Sequence, residues 1–274
     1  MGTDIAMSTV AMRARTQPGA WQRAGFGVIL PLALLLVWQV LGSLYGTVRT
    51  PLPTRILAAA GVLIASGDLP MAIVQSLMRV FAGFLVAAAI AIPLGLVMGK
   101  SRAVERNVDP VVETFRPIAA IAILPLAILW LGTGTAAAVS IVAYAAFFPL
   151  VVNTVAGAKN VNPTLLRAAA TMGLSRFTTL RTVVVPAALP AIGVGLRIAM
   201  GVGWTAIVAA ELAVGAKAGG GGSGGIGQMM FVFYAYSIEL NRIIVCMIAV
   251  GVVALLLDRI LRALMRRSMP WAQA

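Results

Sequence analysis

The distribution of charge along the chain is uneven, and the uncharged gaps are long. No charged residue lies between Arg23 and Arg49, and Phe26–Tyr45 is almost wholly apolar. A second gap, Val80–Gly99, lies between Arg79 and Lys100. Between Arg116 and Lys159 there are 42 uncharged residues, about twice the ~20 that an α-helix needs to cross a bilayer. Gly132-Thr133-Gly134-Thr135 interrupts that gap with turn chemistry, so the pattern predicts two helices there, 112–131 and 136–156. A stretch over 189–213 carries Arg197 and ends near Glu211, and a last one covers 241–262. The pattern therefore predicts six membrane-crossing helices. Residues 1–24 read as a loosely ordered tail, 25–267 as a single membrane domain, and 268–274 as a second tail. The first apolar run is too long for a signal-peptide core of about 7–15 residues.

Segment 51–67 is different. After Pro51, Pro53 and Thr54, the apolar positions Ile56, Leu57, Ala60, Val62 and Leu63 have the spacing of a short amphipathic helix lying on a membrane surface. The fold class predicted is an all-α integral membrane protein.

Composition agrees. Of 274 residues, 61% are hydrophobic and only 11% charged, where a soluble domain carries about 25% charged. There is no histidine, and Cys246 is the single cysteine. These counts exclude histidine catalysis, a histidine metal site and an internal disulfide. The net charge of +13 is explained by its sidedness. Fifteen of the 21 Lys and Arg fall on the side that holds both termini and the 158–186 loop, five fall on the other, and Arg197 lies within a span. By the positive-inside rule that loop and both termini are cytoplasmic. The basic charge thus calls for membrane lipid and for no nucleic acid.

Loop 158–186 is too long for a connection and full of helix signals. Asn162 can cap a helix that Pro163 opens, Gly173 can end it in a left-handed conformation, and Ser175 can cap a second helix that Pro186 closes. The expected product is a helix–turn–helix whose apolar face is offered to a soluble partner.

Arg167-Ala168-Ala169, three residues, Gly173, nine residues, then Val183-x-Val185-Pro186 resembles the EAA loop of binding-protein-dependent ABC importer permeases, which reads Glu-Ala-Ala, three residues, Gly, nine residues, Ile-x-Leu-Pro. Arg167 stands where that pattern has Glu. Glu113-Thr114-Phe115-Arg116-Pro117, Phe148-Pro149 with Asn153-Thr154, and Gly201-Val202-Gly203-Trp204 with Glu211 resemble the nitrate/sulfonate/taurine group, closest to taurine-type permeases. The resemblance implies a permease in the bacterial inner membrane, paired as a homodimer with a second copy. It implies two cytoplasmic ATPase subunits that bind ATP and Mg, a periplasmic substrate-binding protein, and no cofactor or catalytic residue in this chain. Its substrate would be taurine or another alkanesulfonate, with nitrate or another nutrient as the alternative. The resemblance makes Arg167, Ala168, Ala169, Gly173 and Pro186 the ATPase-coupling residues, and it implies that Gly173→Asp uncouples ATP hydrolysis from transport.

Polar and aromatic positions within spans are candidates to line the pathway: Asn153, Thr154, Arg197, Trp204, Thr205 and Glu211. Each also has a packing explanation. Arg197 can cap carbonyls or reach the interface, and Glu211 can brace Lys217 or touch a binding protein. The two are 14 residues apart, about 21 Å along one helix, and cannot pair with each other. Two phosphate-loop lookalikes fail. Gly95–Ser101 has three residues between its glycines where four are needed. Gly222–Gly227 lacks a preceding strand and a downstream acid; with the Gly219–Gly222 run it reads as a flexible loop. A self-sufficient secondary carrier is the weaker alternative: it would show intramembrane proton-relay acids or histidine, and here histidine is absent and Glu211 is the only acid well inside a span. A membrane enzyme would need an acid–base or metal cluster, and none is found. Glu105, Asp109 and Glu113 cluster, but among cations that can pair with them.

Overall fold

The structure is a computed structural model and describes residues 20–46, 50–214 and 224–269, with side chains from Ile29 onward. It is helical, with no strand among these residues. The chain divides into two units, Met1–Thr54 and Arg55–Ala274. The first contributes α1 (Ala20–Tyr45), which contains the expected first span and also begins five residues inside the expected tail. Most of the tail, Arg49, Lys217, the Gly219–Gly222 run and Pro270-Trp271 lie outside the described residues.

The second unit holds the rest. α2 (Pro53–Ala65) coincides with the amphipathic segment. Ile56 and Leu63 on one face are buried, while Leu57, Val62 and Ile64 are exposed. Then follow α3 (Asp68–Lys100), α4 (Arg102–Phe115), α5 (Ala120–Leu131) and α6 (Thr135–Lys159). After the loop helices α7 (Pro163–Thr171) and α8 (Arg176–Thr179) come α9 (Val185–Val214), α10 (Ile226–Val232) and α11 (Leu240–Ser268).

Helices α3, α6 and α9 form the centre. They approach closely because glycine and alanine line the contacts, as packing between membrane helices favours. A Cβ on Gly95 would sit 2.7 Å from Thr154 Cβ, and one on Gly99 would sit 2.5 Å from Ala158 Cβ. Between α9 and α6, a Cβ on Gly195 would lie 2.8 Å from that of Asn153. The Gly-x-x-x-Gly pair at 95 and 99 therefore serves close helix approach, as its spacing implies.

Two expectations need correction. The span expected over 112–131 is broken. α4 and α5 are separate helices bent by 96°, with the break at residues 116–119. Pro117 has no N–H to return to the carbonyl of Glu113, and its ring crowds that carbonyl, so the helix stops there. Among the described residues four helices are long and apolar enough to cross a membrane, or five if the bent pair counts as one. That count does not include α1, whose described side chains cover Ile29–Tyr45, so it does not decide the number six. Second, Pro186 does not end the second loop helix. Helix α8 runs through a wide π turn, Leu180–Val184, straight into α9, giving one apolar helical path, Arg176–Val214, of 39 residues. The π turn widens the ladder just where a proline would otherwise collide with the preceding turn.

Candidate functional site

Each turn of the 158–186 loop is fixed by a local hydrogen bond. The Asn162 side chain accepts the Thr164 N–H at 2.9 Å, and Pro163 opens α7. At the other end Gly173 has φ +69°. Its N–H donates to the Ala170 carbonyl at 3.0 Å, and the Leu174 N–H donates to Ala169 at 3.1 Å. This paired closure satisfies two helix-end carbonyls and requires the left-handed residue between them. Ser175 Oγ then accepts the Thr178 N–H at 3.2 Å and starts α8.

The element has two faces. Ala169 is buried, and Leu166 and Leu180 pack on a small core of Leu96, Val161, Val184 and Ala188. The other face is open. Arg167 and Ala168 are exposed, as are Leu165, Met172 (71%) and Phe177 (72%). A groove of about 800 Å³ separates this loop from the end of α3, lined by Leu96, Lys100, Leu166, Leu174, Phe177 and Val184 among others. Of the five residues assigned to coupling, Arg167, Ala168 and Gly173 lie on the open surface. Ala169 anchors α7, and Pro186 lies at the junction into α9.

The six pathway candidates are dispersed. Asn153 lines a cleft of about 390 Å³ with Arg116, Pro117, Tyr144, Ile198 and Val202, and its Nδ2 donates to the Pro149 carbonyl at 2.8 Å. Thr154 is fully buried and its hydroxyl donates back to Leu150 at 2.7 Å. Trp204 is buried, with Nε1 donating to the Val250 carbonyl at 3.1 Å. Thr205 is exposed and bonds Val202 on its own helix. Arg197 pairs with Asp258 of α11, which Arg262 also engages.

The cleft brings forward two residues not singled out for the pathway. Arg116 stands at the helix break, and the Tyr144 hydroxyl pins that break by donating to the Phe115 carbonyl at 2.7 Å. The signal was present in Arg116-Pro117, a cation beside a helix breaker at the edge of a long apolar stretch.

Glu211 is 2% exposed, and Lys217 lies outside the described residues. Its described partner is Arg79 of α3, whose guanidinium donates to Oε1 at 2.7 Å. Oε2 accepts from the Ser76 hydroxyl at 2.7 Å and the Gly227 N–H at 3.1 Å, while Ser76 Oγ accepts the Ile226 N–H at 2.9 Å. One carboxylate thus joins α3 and α9 and caps the start of α10. Gly225 and Gly227, part of the rejected phosphate-loop lookalike, are required here. A Cβ on Gly225 would fall 2.0 Å from Glu211 Oε1, and one on Gly227 would fall 2.5 Å from the Val208 carbonyl. The acidic cluster on α4 is ion-paired in part, Glu105 to Lys159 and Glu113 to Arg116.

Residues 91–269 match a family described as binding-protein-dependent transport system inner membrane components. The chain is 33% identical to the aliphatic sulfonates transport permease protein SsuC of Bacillus subtilis, described as putative in its own name, over 96% of this chain and 94% of that one. It is 38% identical to the taurine transport system permease protein TauC of Escherichia coli, over 72% and 68%. It is 34% identical to the nitrate import permease protein NrtB of a Synechocystis strain, over 88% and 87%. A chain of the inward-facing MetNI methionine ABC transporter shares the fold, with TM-score 0.59 and 22% identity over 73% of this chain and 97% of that one.

Proposed function

This chain belongs to the binding-protein-dependent transport system inner membrane components, and from that premise we propose that it forms the pathway for a small anionic or zwitterionic solute, taurine or another alkanesulfonate. It is a multi-pass permease subunit of an ABC importer, a role without catalysis of its own. In the proposed assembly two copies form the pathway in the bacterial inner membrane, with both termini in the cytoplasm. Two cytoplasmic ATPase subunits bind ATP and Mg, and a periplasmic protein delivers the solute.

One observation carries the reading. The helix that begins in the exposed loop at Arg176 continues without a stop to Val214, and its residues Ile198 and Val202 line the cleft. A displacement imposed on the loop by an ATPase subunit is therefore applied to the cleft wall. Switching between outward-open and inward-open states needs partners that bind the two states with different affinity. The open face with Arg167, Ala168, Met172 and Phe177 offers the contacts through which the ATPase exerts that difference. At the cleft, Arg116 supplies a guanidinium matched to a sulfonate, and Asn153 lines the same cleft. Arg197 is less suited to that task, because Asp258 holds it in a direct hydrogen bond, whereas the pair of Arg116 with Glu113 is 3.5 Å long and exposed.

The test is a reconstitution of the chain with an ATPase subunit and a taurine-binding protein in lipid vesicles. Taurine delivered by the binding protein should stimulate ATP hydrolysis. Arg116→Gln should weaken that stimulation about ten-fold or more, the worth of a hydrogen bond to a charged group. Stimulation by nitrate alone would keep the importer and overturn the sulfonate. Full taurine response in Arg116→Gln would remove that residue from the cleft's chemistry.

A further inference from the structure

The far end of α11 carries a second feature, one that transport of a small solute does not call for. Leu255, Asp258, Arg259, Arg262, Ala263, Arg266 and Arg267 line a groove of about 570 Å³. Their spacing of alternating three and one places all seven on one helical face. Asp258 is the single acid in the groove and is already engaged by Arg197 and Arg262. Arg259, Arg266 and Arg267 are exposed and take part in none of the ion pairs among the described residues. The groove therefore holds a surplus of positive charge with nothing in the described chain to balance it.

The polarity of the surroundings identifies what does. α11 has 29 residues, so it is about 43 Å long, against a hydrocarbon core of about 30 Å. Its last turns must reach the headgroup layer. Leu255 at the start of the groove is 61% exposed, and Leu256, Ile260 and Leu264, which follow along the same helix outside the groove lining, are 50%, 61% and 59% exposed. The cationic groove thus lies along an exposed apolar flank of the same helix, so an acyl chain can lie on the flank while the arginines hold its phosphate. We propose that this arginine face is a binding site for the phosphate headgroup of an anionic phospholipid. The proposal rests on the membrane reading of α11 and is independent of which solute is carried. Basic clusters beside the end of a span are attracted to anionic lipid, and each cation contributes about five-fold in affinity.

The experiment uses the full chain in detergent and native mass spectrometry with added phosphatidylglycerol or phosphatidylcholine. The unmodified chain should retain phosphatidylglycerol in preference. The triple variant Arg259→Gln, Arg266→Gln, Arg267→Gln should bind phosphatidylglycerol about 100-fold more weakly with its phosphatidylcholine binding unchanged. The corresponding triple lysine variant should retain most of the affinity, because the charge survives. Three outcomes overturn the site: equal retention of the two lipids by the unmodified chain, undiminished phosphatidylglycerol binding in the glutamine variant, or displacement of the lipid by millimolar inorganic phosphate, which would mark a site for the free anion. Should the glutamine variant fail to accumulate, salt decides on the unmodified chain. Loss of phosphatidylglycerol as sodium chloride rises supports the site, and salt-independent retention overturns it.

Discussion

Glu211→Ala is expected to lower the folding stability of this chain by about 3–5 kcal/mol, the usual cost of removing one partner from a buried ion pair. Glu211 is 2% exposed and the Arg79 side chain 17%, so solvent cannot replace what is lost. The substitution leaves the guanidinium of Arg79 without its carboxylate. It also deprives the Ser76 hydroxyl and the Gly227 N–H of their acceptor. Thermal unfolding of the purified chain in detergent should show the loss directly. Glu211→Gln should fall between the two, because its amide oxygen still accepts from one of these donors while the charge is gone. Combining Glu211→Ala with Arg79→Ala should recover part of the loss, because no charge is then left buried alone. Unfolding unchanged in Glu211→Ala would mean that the junction of α3, α9 and α10 is held by apolar packing.

Gly173 should be the most sensitive position for coupling. A Cβ there would meet no atom within 4 Å, so the cost of substitution is conformational. Its φ of +69° costs an ordinary residue roughly 1–2 kcal/mol, and Asn or Asp less. Gly173→Val should therefore unseat the α7–α8 turn and abolish substrate-stimulated ATP hydrolysis. Gly173→Asn should keep most of it. Gly173→Asp separates conformation from charge. Its strain is modest, but it puts an anion on the open face that also carries Arg167, and the expected result is an assembled complex whose ATPase no longer answers to substrate. Normal transport in Gly173→Val would show that the left-handed turn is dispensable.

The two positions differ in how they could be foreseen. Gly173 is legible because its role is local: Asn162, Gly173 and Ser175 each act on the backbone within three residues, and each does so as its chemistry implies. The Glu211 partnership was hidden because Arg79 is 132 residues away, and no periodicity reports a long-range pair. For the same reason Asp258 could not be foreseen beside Arg197. The spans α3 and α6 were readable from uncharged length alone, and α11 from an apolar run of 15 residues, Ile243–Leu257, between Arg242 and Asp258. The α4–α5 break was not, since a count of apolar residues passes over Pro117. Pro186 misled in the opposite sense. Proline normally stops a helix, and the π turn that lets this one continue has no signature in the side chains of Leu180–Val184. Of the pathway candidates only Asn153 lines the cleft. Thr154 and Thr205 are satisfied by their own preceding turn, and Arg197, Trp204 and Glu211 by partners on other helices, none of which a polar residue in a span discloses.

The central claim is that the α7–α8 face receives an ATPase subunit and passes its motion to α9. Cys246 is the single cysteine and is buried, so Met172→Cys places one accessible thiol on that face, where the native side chain is 71% exposed. Maleimide labelling of this variant in vesicles should be rapid for the chain alone. It should slow at least about ten-fold when the ATPase subunit is bound, and change again on adding ATP. Labelling at the same rate with and without the ATPase would contradict the account, because the face would then carry no partner.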